Sequence, residues 1–284
     1  MTASALPRRI AVAAVAIPIA LGLVWLGGWP LVGGVAALAV IGVSEVFRLA
    51  QARGIRPLAP LGYLAALAAP VLAYGLSGPP PLTPSLVMFV GVGWFLAVMV
   101  DAVQRRAPDQ GPLGAVTVTV FAPLYAGALP SFLIALRHAG GHDRPAATAL
   151  VFLPLVVVWV CDSLAMAGGA VIGGPKLAPI ISPKKTWAGT ITGSLAATAV
   201  APLYGWLVLR PAGIEIGFGR LAVLGLVVSA LGQVGDLAES LFKREAGVKD
   251  SGSFFPGHGG VLDRLDSLYW ALPAAAALLA AYGV

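Results

Sequence analysis

The sequence predicts an all-α, polytopic integral membrane bundle of about nine transmembrane helices, on three observations. The chain is 58% hydrophobic and only 11% charged over 284 residues, with a mean hydropathy of +0.90. A soluble surface carries roughly a quarter charged residues, so this composition excludes an ordinary globular domain. Apolar stretches near the ~20-residue length that crosses a bilayer recur along the whole chain. Nothing between them is long or polar enough to be a soluble domain.

Taken in order, the spans are 10–26, 29–47, 60–77, 85–101, 113–136, 148–172, 188–209, 218–242 and 267–283. The first follows Arg8 and Arg9 and is read as a retained span, because no small-x-small cleavage pattern comes after it. Gly27, Gly28 and Pro30 turn the chain into the second. Gly78 with Pro79, Pro80 and Pro81 ends the third, and the polar stretch Arg105–Pro112 ends the fourth. Residues 1–147 read as scaffold spans with dimer or lipid contacts, and 148–284 as catalytic spans with their loops. The single cysteine, Cys161, rules out an intrachain disulfide framework and a cysteine-rich metal site.

Cation counting orients the bundle. With the N-terminus cytoplasmic, 14 of the 18 Lys and Arg residues fall on that side and four, Arg137, Arg144, Arg210 and Arg220, on the other. The positive-inside rule then sets the C-terminus outside and gives one cytoplasmic compartment to the loops after spans six and eight. The net charge of +6 follows from this bias, with anionic lipid or phosphate as the partner and no nucleic acid.

Ten of the 30 charged residues crowd into the 32 positions from Asp236 to Ser267. Charge beside a bilayer is costly and reads as function by default. On a helix, Asp236, Glu239, Ser240 and Lys243 share one face at i, i+3, i+4 and i+7 and form a carboxylate ledge. Lys243, Arg244 and Lys249 follow, then Gly257-His258-Gly259-Gly260, a turn whose N–H groups can approach an anion. Asp263 and Asp266 open the last helix. Hard-cation oxygens on two helices with cations between them suit a Mg²⁺-dependent phosphate reaction.

A second region runs from Cys161 to Gly189. Asp162 lies inside span six, and Gly168, Gly169, Gly173 and Gly174 predict a helix that loosens to line a wet cavity. Lys176, Lys184 and Lys185 follow in a loop, without the Gly-Lys-Ser/Thr of a Walker A motif. Simpler readings exist: Lys243, Arg244 and Lys249 as interfacial anchors, Asp162 as a helix-to-helix hydrogen-bonding group, His258 as a loop residue. Glu45, Asp101, His138, His142 and Asp143 read as interfacial or solvated, without a role. Gly and Ala richness in the spans reads as close helix packing.

The run Ser240-x2-Lys243-Arg244-x4-Lys249-Asp250-x5-Pro256-Gly257-His258-Gly259-Gly260-x2-Asp263-Arg264-x-Asp266 resembles the C-terminal signature of phosphatidate cytidylyltransferases, or CDP-diacylglycerol synthases. Lys176-Leu177-Ala178-Pro179 and Ser182-Pro183-Lys184-Lys185-Thr186-Trp187 resemble the same family's second block. Two positions depart from it: Ala188 stands where an acid is common, and Met166 where an aromatic is common.

The resemblance implies that CTP and phosphatidic acid give CDP-diacylglycerol and pyrophosphate, at a site on the cytoplasmic face of the cell membrane. It implies catalytic roles for Asp236, Asp263, Lys249 and His258, and phosphate or CTP contacts for Lys184, Lys185, Ser240, Lys243, Arg244 and Arg264. Metal binding falls on Asp236 and Asp263, with Asp162 and Asp266 beside them. The expected cofactors are Mg²⁺ and a second cation, K⁺ or another divalent ion, and the expected assembly is a homodimer. His258 is expected to orient a phosphate, since a phosphate monoester is already ionised near neutral pH.

Three other readings remain. Another CTP-dependent lipid enzyme, dolichol-kinase-like or CDP-archaeol-synthase-like, would differ in its acceptor. An ion-coupled transporter would account for Asp162 and Glu45 but not for the charged loops. An alcohol phosphatidyltransferase or prenyltransferase would need Asp-Gly-x2-Ala-Arg or Asp-Asp-x2-Asp, and the chain has neither.

Overall fold

The computed structural model describes residues 5–77, 81–257 and 259–284, with side chains at 12 and from 14 onward within those ranges. Gly78, Pro79, Pro80, His258 and the side chains of Arg8 and Arg9 lie outside what is described. The helices are α1 (Ala5–Leu26), α2 (Gly28–Gln51), α3 (Ala59–Ser77), α4 (Pro84–Arg105), α5 (Pro112–Gly141), α6 (Arg144–Ile172), α7 (Trp187–Leu209), α8 (Phe218–Glu245) and α9 (Leu262–Ala281). They coincide with the nine expected spans. Among the described residues, α2 to α8 are long and apolar enough to cross a membrane. In α9 the charges of Asp263, Arg264 and Asp266 fall within the first five residues, so its apolar part starts at Ser267. The protein is an all-α polytopic membrane bundle.

The chain divides into two compact units. One comprises residues 1–138 and 242–264, the other 139–241 and 265–284. The charged segment after α8 therefore belongs with the N-terminal helices.

In the first unit, α2 is the central element: Val35, Ala39, Val43 and Phe47 are buried along one stripe. Phe47 fills the space left open by Gly62 of α3. Buried Arg137 of α5 donates through Nε to the Val24 carbonyl (2.7 Å) and through Nη2 to Trp25 (3.0 Å). These carbonyls end α1 without intrahelical partners, and the guanidinium satisfies them. His138, expected to be solvated, instead accepts from the Gly28 N–H at 3.1 Å. A π turn at Leu124–Ala128 interrupts α5 directly after Pro123, whose ring cannot continue the ladder.

The second unit is built on close helix contacts. A Cβ at Gly193 would lie 2.7 Å from the Cys161 carbonyl oxygen, and one at Gly189 2.5 Å from that of Ala165, so α7 meets α6 backbone to backbone. Gly235 likewise lets α8 approach the Asp266 carbonyl of α9. This corrects the expected loosening of span six. Gly168 and Gly169 stay helical and pack against Thr192 and Thr186, and the helix ends only where Gly173 and Gly174 take φ of +69° and +89°. The lysine loop that follows is an antiparallel hairpin, β1 (Lys176–Ala178) and β2 (Ser182–Thr186), with Lys176 opposite Thr186. Thr186 then caps α7, its hydroxyl oxygen accepting from the Gly189 N–H at 3.1 Å.

Candidate functional site

The charged residues form two groups, one in each unit. In the first, the segment from Lys249 to Leu262 leaves α8 and folds back on itself. Phe255 N–H donates to the Gly259 carbonyl at 2.9 Å, and Gly257 and Gly259 supply φ of +78° and +89°. A side chain at Gly259 would also press on the Asp263 carboxylate, 2.6 Å from its ideal Cβ. Glycine is required there for both reasons.

Asp263 gathers this turn. Its Oδ1 accepts from the Lys243 ammonium at 2.7 Å; its Oδ2 accepts from Gly260 N–H (2.8 Å), Ser251 N–H (2.9 Å) and the Ser251 hydroxyl (2.9 Å). Burial pushes the Asp263 carboxyl up, but the Lys243 ammonium with the Gly260 and Ser251 donors outweighs it and holds the group below the usual carboxylate range. Lys243 is itself buried, so this ion pair is largely shielded from water.

Beside the turn lies a polar cavity of about 490 Å³ lined by Lys249, Asp250, Gly252, Ser253, Phe255, Pro256, Gly257, Gly259 and Arg264. Lys249 and Arg264 are exposed to it from opposite ends of the segment. Arg244 is turned toward the chain, donating to the Val248 carbonyl at 3.1 Å.

In the second group, Lys185 Nζ of β2 lies 2.6 Å from Asp236 Oδ2 of α8. The Ser240 hydroxyl makes a long 3.4 Å contact with Asp236 Oδ1 from the next turn, as the i, i+4 spacing requires. Asp162 of α6 is within electrostatic reach of both Asp236 and Lys185. Lys184 precedes Lys185 on the strand and is exposed. At the start of the apolar part of α9, Asp266 Oδ1 accepts from the Ser267 N–H at 2.7 Å. Glu239 is fully buried rather than part of an open ledge.

The residue that sequence reasoning missed is Glu45. It is fully buried in α2, not solvated, and accepts from Val261 N–H (3.1 Å), Leu262 N–H (2.9 Å) and the Ser251 hydroxyl (3.0 Å). The signal was available: it is a lone acid inside an apolar span, and such acids seldom face lipid.

Among the described residues no three His, Cys, Asp or Glu side chains converge as a closed metal cage. The donor chemistry nevertheless fits a hard cation. Asp236 holds the Lys185 ammonium on Oδ2 and keeps Oδ1 with only the long Ser240 contact, whereas both Asp263 oxygens already take donors; Mg²⁺ is commonly held by one or two carboxylates completed by water and substrate phosphate.

A model described as the cytidylyltransferase family matches residues 7–282. The phosphatidate cytidylyltransferase of Synechocystis is 30% identical over 292 residues, covering 94% of each chain. That of Brucella abortus is 48% identical over 159 residues, 56% of this chain and 54% of its own length, so the chain spans about half of that relative. Phosphatidate cytidylyltransferase 4, chloroplastic, of Arabidopsis thaliana is 33% identical over 299 residues, 93% of this chain and 71% of the relative. Because the family model spans residues 7–282, nearly the whole chain, the chain belongs to the cytidylyltransferase family.

Proposed function

We propose that the protein transfers the cytidylyl group of CTP to phosphatidic acid, giving CDP-diacylglycerol and pyrophosphate. A phosphate oxygen of the lipid attacks the α-phosphorus of CTP. The bond from that phosphorus to the bridging oxygen breaks, and the electron pair leaves with pyrophosphate. The family and the names of its relatives support the reaction class. The cavity lined by Lys249, Arg264 and the glycine backbone is the observation that carries the reading here.

The chemistry asks for two polyanions to be brought together and for charge on the leaving group to be neutralised. Lys249 and Arg264 supply cations at the cavity, and Gly257 and Gly259 add no side chains to its wall. Asp263 holds the Ser251 and Gly260 amides and so fixes the turn that forms this wall. Lys185 and Lys184, on adjacent positions of β2, are further phosphate contacts, while Lys243, expected to be one, is buried and holds Asp263 instead. Proton abstraction is not required, since the acceptor's second pKa is about 6.

Mg²⁺, for which the family resemblance names Asp236 and Asp263 and, beside them, Asp162 and Asp266, would neutralise phosphate charge and orient the leaving group; a second cation, K⁺ or divalent, completes the expected set. Cation bias supports a cytoplasmic-facing site in the cell membrane, with 14 of 18 Lys and Arg on that side.

The test is purified protein in detergent with Mg²⁺, α-labelled CTP and diacyl phosphatidate. Label entering a CDP-lipid with stoichiometric pyrophosphate is expected. Retention of all label in CTP, or transfer of the γ-phosphate to a polyprenol instead, overturns the proposal.

A further inference from the structure

We infer that Glu45 is a positioning residue for the cytidylyl-transfer site, acting from α2 on the distant segment that lines the cavity. The inference rests on the function proposed above. Three donors converge on this one side chain, all from positions more than 200 residues later in the chain: the Ser251 hydroxyl, Val261 N–H and Leu262 N–H. They bracket the segment that carries Gly252, Ser253, Phe255, Pro256, Gly257 and Gly259, so Glu45 pins both ends of the wall.

Two details show that the fit is to a carboxylate. First, Val261 N–H addresses Oε1 while Leu262 N–H and Ser251 address Oε2. A carboxylate accepts at both oxygens; a glutamine in either flip would set its NH₂ against a backbone N–H. Second, Gly252 and Gly260 close over the group, and a Cβ at either would run into its oxygens. Space for Glu45 thus accounts for two glycines of the segment whose φ values are not positive.

The link to Asp263 is Ser251. Its hydroxyl lies 3.0 Å from Glu45 Oε2 and 2.9 Å from Asp263 Oδ2, and its one hydrogen serves both. Displacing Glu45 therefore releases a donor that sets the Asp263 carboxylate and, through Gly260, the turn. Misplacement on the ångström scale is enough to cost about 10²-fold in rate.

The experiment compares wild type with Glu45→Gln, Glu45→Asp and Ser251→Ala in detergent. It measures Tm, CTP KM and kcat, and hydrogen exchange of peptides covering 249–264. The inference expects faster exchange confined to that segment, a raised CTP KM, and kcat/KM down by about 10²-fold in Glu45→Gln. Ser251→Ala, a smaller change that should fold, is expected to move the same quantities less. Unchanged exchange and KM in folded variants, or activity falling only with the folded fraction, overturns it. If the Glu45 variants do not fold, Ser251→Ala with wild-type exchange and KM overturns it as well. If wild type shows no cytidylyl transfer, the function fails, while the exchange data still decide the positioning role.

Discussion

Lys185 Nζ sits 2.6 Å from Asp236 Oδ2, joining the hairpin after α6 to the polar end of α8. Both side chains are partly exposed, at 25% and 30%. Pairs of this kind contribute about 0.2–1 kcal/mol at most, so the pairing adds little to stability. Lys185→Ala should shift Tm by no more than about 3 °C, yet lower cytidylyl transfer by about 10²-fold through loss of a phosphate contact. Thermal unfolding and steady-state assays on one preparation check both halves. A large Tm change with unchanged kcat/KM would contradict it.

Asp263→Asn is expected to abolish turnover while the protein still inserts in the membrane. It also removes the carboxylate oxygen 2.7 Å from the buried Lys243 ammonium, so some loss of Tm is expected beside the loss of turnover. Near-normal transfer by Asp263→Asn in detergent with Mg²⁺ would sink the assignment.

Lys249 is exposed on the cavity wall. Lys249→Ala should leave Tm unchanged and raise the KM for CTP more than that for phosphatidate. An unaltered CTP dependence returns Lys249 to the role of an interfacial anchor.

Chelation tests the cation expectation. EDTA should stop CDP-lipid formation and added Mg²⁺ should restore it, whereas Asp236→Asn should not be rescued at any Mg²⁺ concentration that saturates wild type. Full activity in excess chelator would remove the divalent cation from the scheme.

The α6–α7 contact gives a stability prediction independent of chemistry. A methyl at Gly189 would stand 2.5 Å from the Ala165 carbonyl oxygen and 3.3 Å from Gly169 Cα, both backbone atoms of α6. Gly189→Ala should destabilise by about 1–3 kcal/mol, while Gly91→Ala, where nothing lies within 4 Å, should not. Equal thermal stability of the two variants in detergent would contradict the contact.

The nine helices of the described residues were legible because the bilayer imposes length and hydropathy on each span separately, and both are local properties of the chain. The pairing of Lys185 with Asp236 was half legible: both residues were singled out, but a loop was expected where β1 and β2 set the lysine's reach. The glycines of α6 were read as flexibility, although Gly168 and Gly169 serve contact with Thr192 and Thr186. A glycine's spacing does not distinguish a loosened backbone from a close approach, because the distinction depends on what stands opposite.

By itself the sequence determined the all-α membrane architecture, the charged segment from Asp236 to Ser267 and the residue types able to handle phosphate. Tertiary structure alone decided which carboxylate answers which cation, and that Glu45 anchors a turn more than 200 residues away. Spans follow from each residue's own transfer free energy into lipid. A buried carboxylate's role follows from the donors that folding brings to it, and those donors here are backbone N–H groups, present at nearly every position and therefore invisible in sequence.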